Sequence, residues 1–465
     1  MYIFQQEGDQ VYQAIAADIQ QALGGSLSEI DMPKVIGAGT LPSVYAVTDL
    51  AMASIASAGM AIAEFIALRR GVKPLVQVDR HLTSLWFAQS LRPLGWQLPP
   101  QWDAVAGNYQ ARDNWIRLHT NAPHHRRAAL QVLGCSEERA AVSKAVARWQ
   151  AAELEDAIVS AKGCAAVMRS AEEWSVHEQG RAVATEPLLH VSPTNSGPVP
   201  NWVLSTARPL GGIRVLDLTR ILAGPVATRF LAGYGAQVLR LDPPEWEEPG
   251  VVPEVVLGKR CARLDFKSAH GMATLKNLLG EADILLHGYR TDALARLGLD
   301  REERQKVRPG LVDIALNAYG WSGPWRMRRG FDSLVQMSGG IAHTGMIKAG
   351  KDSPFPLPVQ ALDHATGYLL AAAAVRGLIR RLIDGRGIEV QASLARTAAL
   401  LMRYPVENGL AAPMAKEKRK DLAPALEETA WGPAQRLRPP LMIEGCPMRW
   451  DLPSVRLGSS SATWA

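Results

Sequence analysis

The apolar run IRVLDL, at residues 213–218, begins a segment whose pattern of apolar residues differs from that of the preceding chain. It leads into a glycine–proline turn at residues 224–225, and a second apolar run, AQVLRL, follows at residues 236–241. Two further runs of this kind lie at residues 282–287 and 311–316, with helical patterns between them. Buried strands that alternate with helices are typical of parallel sheets. We therefore predict an α/β fold with a doubly wound parallel sheet in this half of the chain.

The length of the chain predicts more than one folding unit. With 465 residues it exceeds the usual size of a single hydrophobic core. Proline and glycine concentrate between residues 192 and 209, and such a concentration indicates a linker. We expect four parts. They are a mostly helical N-terminal half (1–190), a linker (191–210), a large domain (211–403) and a proline-rich tail (404–465).

Charge and cysteine content limit the expected binding partners and the cellular compartment. The net charge of +6 comes without a dominant basic arm, and the short run KEKRK at residues 416–420 is interpreted as a solvated part of the tail. We therefore expect no nucleic-acid partner, whereas a mildly basic protein suits an anionic small molecule. The four cysteines lie far apart, and the N-terminus lacks the pattern of a signal peptide. A reducing cytoplasm is the predicted location.

Two segments of the chain are similar to each other. Residues 42–83 align without a gap with residues 356–397, and Asp49 then falls on Asp363. Identical residues in the two copies, numbered as in the first, are Pro42, Asp49, Ala51, Ala58, Leu68, Gly71, Val76, Gln77 and Thr83. Each copy predicts a helix, a glycine turn, a strand and a second helix. The apolar stretch at residues 50–63 is too short to span a bilayer, so we predict a buried helix and no membrane segment.

The aspartate at the head of each copy has two interpretations. Asp is a preferred N-cap, because its carboxylate satisfies backbone N–H groups that a helix start leaves unpaired. The same hydrogen bonds and the helix dipole would keep the carboxylate ionised. An ionised carboxylate beside small residues can also act as a nucleophile. The aspartate is therefore either a cap or a reagent.

Two other kinds of site are considered and set aside. A nicotinamide-dependent dehydrogenase would place a ribose-binding acid at Asp242, but the turn after the first strand lacks the G-x-G-x-x-G motif. The triplet His119, His124 and His125 is a possible metal site, yet no carboxylate accompanies it at ligand spacing. We predict no metal.

Residues 211–395 resemble the class III CoA-transferases, a family that includes formyl-CoA and carnitine CoA-transferases. The resemblance is carried by an ordered set of short motifs that ends with Asp363, where the family places its catalytic aspartate. These motifs are LDLTR (216–220) with AGP (223–225), GKR (258–260) with LDFK (264–267), AD (282–283), RLG (296–298), NAYG (317–320), GFD (330–332) and QMSGG (336–340).

The resemblance implies a large domain of the class III CoA-transferase type with a smaller α+β domain, assembled as a homodimer. It implies that Asp363 attacks an acyl-CoA thioester, and that CoA reaches a carboxylic acid acceptor through an aspartyl anhydride and an aspartyl-CoA thioester. CoA is then a substrate, and no further cofactor is expected. Residues that match or adjoin the CoA site by position are Arg220, Ala223, Lys267, Tyr289, Arg296 and Arg329. Gly339 and Gly340 are candidates for binding developing oxyanions through their N–H groups.

The order of the segments departs from that of the family. WIRLHTN (115–121) and RSAEEW (169–174) resemble segments that normally come late, so the chain resembles a circular permutation with a duplicated aspartate-helix unit. Either Asp49 or Asp363 could then be the nucleophile, and Asp363 is preferred because it follows the matching half directly. Two alternative functions stay open. A 2-methylacyl-CoA racemase would need a histidine where Phe331 stands, and a non-catalytic CoA-binding protein would need no reagent.

Overall fold

The computed structural model describes residues 2–25, 32–202, 205–289, 292–411 and 416–465. Its helices are α1 (Tyr2–Ala22), α2 (Val47–Arg70), α3 (Arg80–Trp86), α4 (Pro123–Leu133), α5 (Arg139–Val146), α6 (Ala151–Ser160), α7 (Ala171–Val176), α8 (Glu178–Thr185), α9 (Ala223–Gly233), α10 (Val252–Val255), α11 (Ala269–Glu281), α12 (Ala293–Arg296), α13 (Arg301–Val307), α14 (Asp332–Ser338), α15 (Ile341–Lys348), α16 (Ala361–Asp384) and α17 (Leu394–Met402). Its strands are β1 (Lys34–Ile36), β2 (Val76–Asp79), β3 (Leu91–Pro93), β4 (Gly107–Gln110), β5 (Trp115–Leu118), β6 (Ala165–Val167), β7 (Leu189–Ser196), β8 (Arg214–Leu218), β9 (Gln237–Asp242), β10 (Lys259–Arg263), β11 (Ile284–His287), β12 (Val312–Asn317), β13 (Arg386–Ser393), β14 (Leu422–Thr429), β15 (Gly432–Leu437) and β16 (Leu441–Ile443).

A seven-stranded sheet forms the centre of the second half. Its strand order is β10-β9-β8-β11-β12-β13-β7, and every pairing is parallel except that of β7, which runs antiparallel at one edge. The order turns around at β8 and β11, the arrangement in which α/β proteins bind ligands beyond the carboxyl ends of the strands. The prediction of an α/β fold with a parallel sheet is confirmed. The four predicted strands lie within two residues of their expected bounds.

Both faces of this sheet are buried. On β8, Val215 belongs to a core that also contains residues of α9 and α16, whereas Leu216 belongs to a second core with residues of α11. Successive side chains of a strand point to opposite faces, so a strand covered on both sides needs apolar residues throughout. This burial explains why IRVLDL carries no alternation of polar and apolar residues.

Buried polar contacts fix the loops at the carboxyl edge of the sheet. Asp217, at the end of β8, accepts hydrogen bonds from the backbone N–H and hydroxyl of Thr219 and from the hydroxyl of Thr228. Lys259, the first residue of β10, donates to Asp217 at 3.1 Å and to the carbonyl of Pro225 at 3.0 Å. A fully buried lysine is retained only when it is paired in this way. The motifs LDLT and GKR are thus joined by the ion pair between Asp217 and Lys259.

The two similar segments adopt the same local structure. α2 and α16 have 24 residues each, begin at aligned positions and end at Gly71 and Gly385, whose φ angles of 70° and 73° are left-handed. Glycine enters this conformation without the steric cost of a Cβ, so it ends a helix well. The second helix of each unit, α3 or α17, is capped by the side chain of Asp79 or Ser393.

α2 is long and apolar enough to cross a membrane by length and composition alone, and it is the one helix of the described ranges for which this holds. Most of it is buried inside the protein, where it packs along α1, α16 and β2. The prediction of a buried helix at this position is therefore confirmed.

The structure changes the interpretation of the linker and of the tail. Residues 191–196, predicted to belong to the linker, form most of the edge strand β7, where Pro193 is tolerated because an edge strand has one side without ladder hydrogen bonds. In the tail, β15 pairs with β3 and β16 pairs with β2. The tail therefore completes two sheets of the N-terminal half, a role that its proline-rich composition conceals.

Candidate active site

The residues assigned to the CoA site come after the carboxyl ends of the parallel strands. Arg220 and Ala223 follow β8, Lys267 follows β10, and Tyr289 follows β11. Arg296 comes later in the same connection as Tyr289, and Arg329 follows β12. Because carboxyl ends of parallel strands share one edge of a sheet, the topology directs these residues toward one side of the molecule.

Asp363 lies in the first turn of α16 and does not cap it. The N-cap position is Gln360, and no side chain of α16 makes a cap hydrogen bond. Instead, the carboxylate of Asp332 accepts a hydrogen bond from the backbone N–H of Asp363 at 2.9 Å. Asp332 is held in turn by Gln336, whose side-chain oxygen accepts from the backbone N–H of Leu357 at 2.8 Å. The cap interpretation of Asp363 is therefore wrong, because Asp332 performs that task.

The carboxyl groups of Asp363 and Asp332 form a buried pair of like groups. Their residues are 8% and 0% exposed. Burial, and then the negative charge of Asp332, raise the pKa of Asp363 well above its usual range. Burial also raises the pKa of Asp332, although hydrogen bonds from Asp363 and Gln336 favour its anion. The proton of the pair therefore resides mainly on Asp363, which corrects the expectation that the helix start keeps this group ionised.

Asp49, the counterpart of Asp363, has a different environment. Its carboxylate lies 2.7 Å from Nη1 of Arg80, the first residue of α3. The aligned position in the second unit is Leu394, the first residue of α17. Within the described ranges, no Lys, Arg or His lies within ion-pair distance of the Asp363 carboxylate. One substitution between the two copies thus separates an ion-paired aspartate from one that has leucine in place of the cation.

The loop after β8 meets the first turns of α16 at close range. A Cβ on Gly367, one turn after Asp363, would lie 2.4 Å from the carbonyl oxygen of Ala223. Only glycine permits this approach. In the same loop Ile221 has a φ of 66°, a conformation that β-branched residues avoid, and its N–H donates to Glu248 at 2.9 Å. Backbone strain of this kind is typical of functional loops.

Arg220 forms a compact cluster with two aromatic rings. It donates a hydrogen bond to the hydroxyl of Tyr289 at 2.9 Å, and its guanidinium carbon lies 4.5 Å from the ring centre of Trp246 and 5.1 Å from that of Tyr289. Asp242, 3.7 Å from Arg220, is fully buried and bonded to Arg240 at 2.8 Å. A carboxylate in this position is already occupied by arginines, so it does not serve as a ribose acceptor.

The three cations assigned to the phosphates of CoA differ in their environments. Lys267 is exposed, and Arg296 is exposed but paired with Asp292 one turn earlier. Arg329 is partly buried, and after burial it is the largest cause that lowers the pKa of His124. Exposed cations at the edge of a sheet are available to a phosphate, and Arg329 lies deeper, near the histidines of α4.

Gly339 and Gly340 are engaged in packing. The N–H of Gly339 donates to the carbonyl of Val335 at 2.8 Å and closes α14. A Cβ on Gly340 would lie 2.6 Å from the backbone nitrogen of Ala171, so this glycine lets α7 approach. The expectation that the Gly339 N–H binds an oxyanion is corrected, because that donor is already used.

The N-terminal half contributes aromatic and histidine side chains to this edge. The ring of His119 stacks on Phe331 with centres 3.6 Å apart, and its Nδ1 lies 3.3 Å from the hydroxyl of Ser333. His125 meets the same Phe331 ring edge-on at 5.9 Å. Burial is the main cause that lowers the pKa of both histidines, for His125 to about 3, so both are neutral at pH 7. A histidine therefore lies beside the position where a racemase would carry one.

These histidines pack on rings and do not surround a common point. His124 lies 4.1 Å from His125 and 6.3 Å from Trp246, measured between ring centres, which links the histidines to the Arg220 cluster. In the ranges that the structure covers, no group of three or more His, Cys, Asp or Glu side chains is arranged to hold a metal ion.

The sequence alone predicted no role for two residues of the site. Asp332 was part of a motif, but its contact with Asp363 arises only when α14 packs near α16. Trp246 had no signal of its own. The replacement of Arg80 by Leu394, in contrast, was visible in the alignment of the two copies and could have distinguished Asp49 from Asp363.

Part of the chain is similar to known proteins. Residues 210–429 match the family model described as CoA-transferase family III. An acyl-CoA transferase of Gibberella moniliformis is 28% identical over 335 residues, which cover 63% of this chain and 58% of that protein. The succinyl-CoA:glutarate CoA-transferase of Mus musculus is 30% identical over 216 residues, which cover 44% of this chain and 49% of that protein.

Among solved structures, the crystal structure of Rv3272 from M. tuberculosis is 31% identical with a TM-score of 0.40, over 42% of this chain and 56% of that chain. The chain spans about half the length of the curated relatives that it matches. The similarity to CoA-transferase family III is thus carried by residues 210–429.

Proposed function

We propose that this protein transfers CoA from an acyl-CoA to a carboxylic acid, with Asp363 as the nucleophile. One observation carries the proposal. Two structurally matched helices each present a buried aspartate in the first turn, and only Asp49 has a cation, Arg80, in the position where α17 has Leu394. An aspartate that serves structure alone gains from such an ion pair. Asp363 instead sits beside a second carboxyl group, an arrangement that costs stability and is typical of reactive sites.

The reaction divides one difficult exchange into four balanced steps. Once the proton of Asp363 has passed to solvent, its carboxylate oxygen attacks the thioester carbonyl, the C–S bond breaks, and CoA leaves as a thiolate while a mixed anhydride forms. The thiolate then attacks the aspartyl carbonyl, which releases the donor acid and forms an aspartyl-CoA thioester. The acceptor carboxylate attacks that carbonyl, releases the thiolate again and forms a second anhydride. Finally the thiolate attacks the acceptor carbonyl, which gives the new acyl-CoA and restores the Asp363 carboxylate.

The surroundings of Asp363 favour its attack on the thioester. A buried carboxylate is poorly solvated, and once it has lost its proton it is more basic and more nucleophilic than an exposed one. Asp332 and Gln336 fix the first turn of α16, so the attacking oxygen is held by the backbone. Arg220 and Tyr289, with Lys267 and Arg296 near the same edge, would bind the nucleotide part of CoA.

The remaining features belong to the same proposal. We infer that the sheet is doubly wound, with the N-terminal half as the smaller α+β domain, and the burial of both sheet faces supports this. We also propose a rearranged and partly duplicated order of the two halves. The alignment of α2 with α16 supports it. A homodimer in the cytoplasm, with CoA as a substrate and without further cofactor, completes the proposal.

The test is to trap the covalent intermediate on the aspartate. The protein is incubated with acyl-CoAs and then with hydroxylamine, which converts an aspartyl anhydride or thioester into a hydroxamate that mass spectrometry locates. A hydroxamate on Asp363, absent from the Asp363→Asn variant and present in Asp49→Asn, is the expected result. Bound CoA without any adduct or transfer would indicate a CoA-binding protein. Exchange of the α-proton with deuterated water would indicate the racemase.

A further inference from the structure

A cavity of about 170 Å³ lies between the tail and the amino ends of β9 and β10. Its walls come from the last turn of α9, from the starts of the two strands and from residues 451–452 and 464–465 of the tail. Among the described residues, none that we assign to the transfer site lines it. α9 begins at Ala223 beside that site and reaches the cavity at Ala232, which is nine residues or roughly 14 Å farther along the helix.

The walls of this cavity are mainly apolar. Ala236, Val238 and Leu239 line it and are buried. Trp464 lines it from the tail, and its indole N–H is held by the carbonyl of Leu278 at 3.2 Å. Such walls offer few hydrogen bonds to water, and an empty space in a packed protein costs stability, so an apolar ligand gains by filling it. Because a cavity of about 150 Å³ can hold benzene, this one suits about six to eight non-hydrogen atoms.

Arg260, the second residue of β10, brings an unneutralised charge to the cavity. Its Nη1 donates to the carbonyl of Thr463 at 2.8 Å. Over the part of the chain that the structure describes, no carboxylate lies within ion-pair distance of Arg260. The other cation and the one acidic side chain of the lining, Arg208 and Asp451, are paired with each other. Asp451 is exposed, so the cavity is accessible from solvent, and Arg260 keeps N–H groups available for an anion.

We propose that this cavity binds a short-chain monocarboxylate of about four to six carbon atoms, with its carboxylate on Arg260 and its alkyl chain between the apolar walls. A carboxylate matches the planar fork of a guanidinium. A dicarboxylate of the same length would place a second charge against apolar side chains, which is costly. The site is separate from the transfer site and does not depend on the proposed function. A bound acid would join the tail to β10 and stabilise the folded protein by mass action.

The test measures binding of butyrate, valerate and hexanoate, with pentanol as the uncharged comparison, by calorimetry and thermal shift on the full chain saturated with CoA. We expect the acids to bind with a Kd of about 1 mM and to raise the unfolding midpoint, and pentanol to bind at least about tenfold more weakly. Arg260→Gln should weaken acid binding at least about tenfold. Arg386→Gln is the matched control, because Arg386 begins another strand of the same sheet and does not line the cavity, and it should bind the acids as wild type does.

Ala236→Leu fills the cavity without changing its charge, and it should abolish acid binding while leaving CoA binding unchanged. Circular dichroism confirms that each variant is folded. A crystal of wild type soaked with a bromine-labelled butyrate should show the bromine between Ala236 and Trp464, which locates the site without any variant. Equal affinity for acid and alcohol, acid binding that survives Arg260→Gln, bromine at the transfer site, or no binding up to about 20 mM acid would overturn the inference.

Discussion

Asp363→Asn and Asp49→Asn should have opposite effects on activity and stability. Replacing Asp363 removes the nucleophile, so transfer should fall by at least about four powers of ten, or more than about 5 kcal/mol of transition-state stabilisation. Its stability should not fall, because Asp332 provides the cap. The folded-state pKa of Asp363 is raised, so ionisation opposes folding above the unfolded pKa near 4. Asp363→Asn should therefore equal or exceed wild type in stability at pH 7, and this gain should vanish below about pH 4.

Asp49→Asn should keep its activity and lose stability. Its partner Arg80 is 19% exposed in the side chain, and the ion pair of 2.7 Å is therefore partly screened. Loss of the charge leaves Arg80 without its anion, and the cost should be about 1–2 kcal/mol, more than capping alone would predict. Transfer is followed by chromatography of the acyl-CoAs, and stability by urea unfolding. An active Asp363→Asn protein, or an inactive Asp49→Asn protein that is folded, would refute the assignment of the two aspartates.

Four further outcomes can be checked. Burial, and then the charge of Asp332, raise the Asp363 pKa; Asp332→Asn removes the second cause, so the acid limb of the pH profile of kcat/KM should move to lower pH, and an unmoved limb would contradict the coupling of the pair. Replacement of Lys267, Arg296 or Arg329 by Ala should weaken CoA binding in calorimetry by about 1–3 kcal/mol, and no loss in any of the three would show that the CoA site is elsewhere. Trp450→Ala should cost about 2 kcal/mol in urea unfolding, because it removes a stack of 5.9 Å on Trp86 and a bond to the carbonyl of Arg229; unchanged stability would argue against a structural tail. Light scattering at micromolar concentration should give a dimeric mass, and a monomer would exclude the proposed assembly.

The local hydrophobic pattern predicted the central strands of the large sheet but not β10 or the strands of the tail. IRVLDL and AQVLRL are recognisable because strands buried on both faces are apolar throughout. β10 was not predicted as a strand, because Lys259, Arg260 and Arg263 interrupt its apolar pattern, and only the structure shows that Lys259 is neutralised by Asp217. The tail strand β15 pairs with its neighbour β14 and also with β3, and β16 pairs with β2. Strand preference depends on the partner, and β3 and β2 lie several hundred residues earlier, so local pattern did not predict these strands.

Site residues that lie in a sequence motif could be predicted, whereas contacts that depend on tertiary packing could not. Asp363 follows from its position in the ordered motifs. The effect of Asp332 on the pKa of Asp363 depends on two residues 31 positions apart, which meet where the backbone N–H of Asp363 donates to Asp332.

The pairing of β16 with β2 has a consequence for how the chain folds. Residues 441–443 join residues 76–78, so this sheet is completed only after residue 443 has left the ribosome. Such contacts raise the contact order and slow folding, since a long loop must close before they stabilise anything. During synthesis β2 exposes an unpaired edge, which invites association with other nascent chains. Recombinant fragments that stop before residue 441 should therefore precipitate more readily than the full chain, and slower translation would lengthen the vulnerable interval.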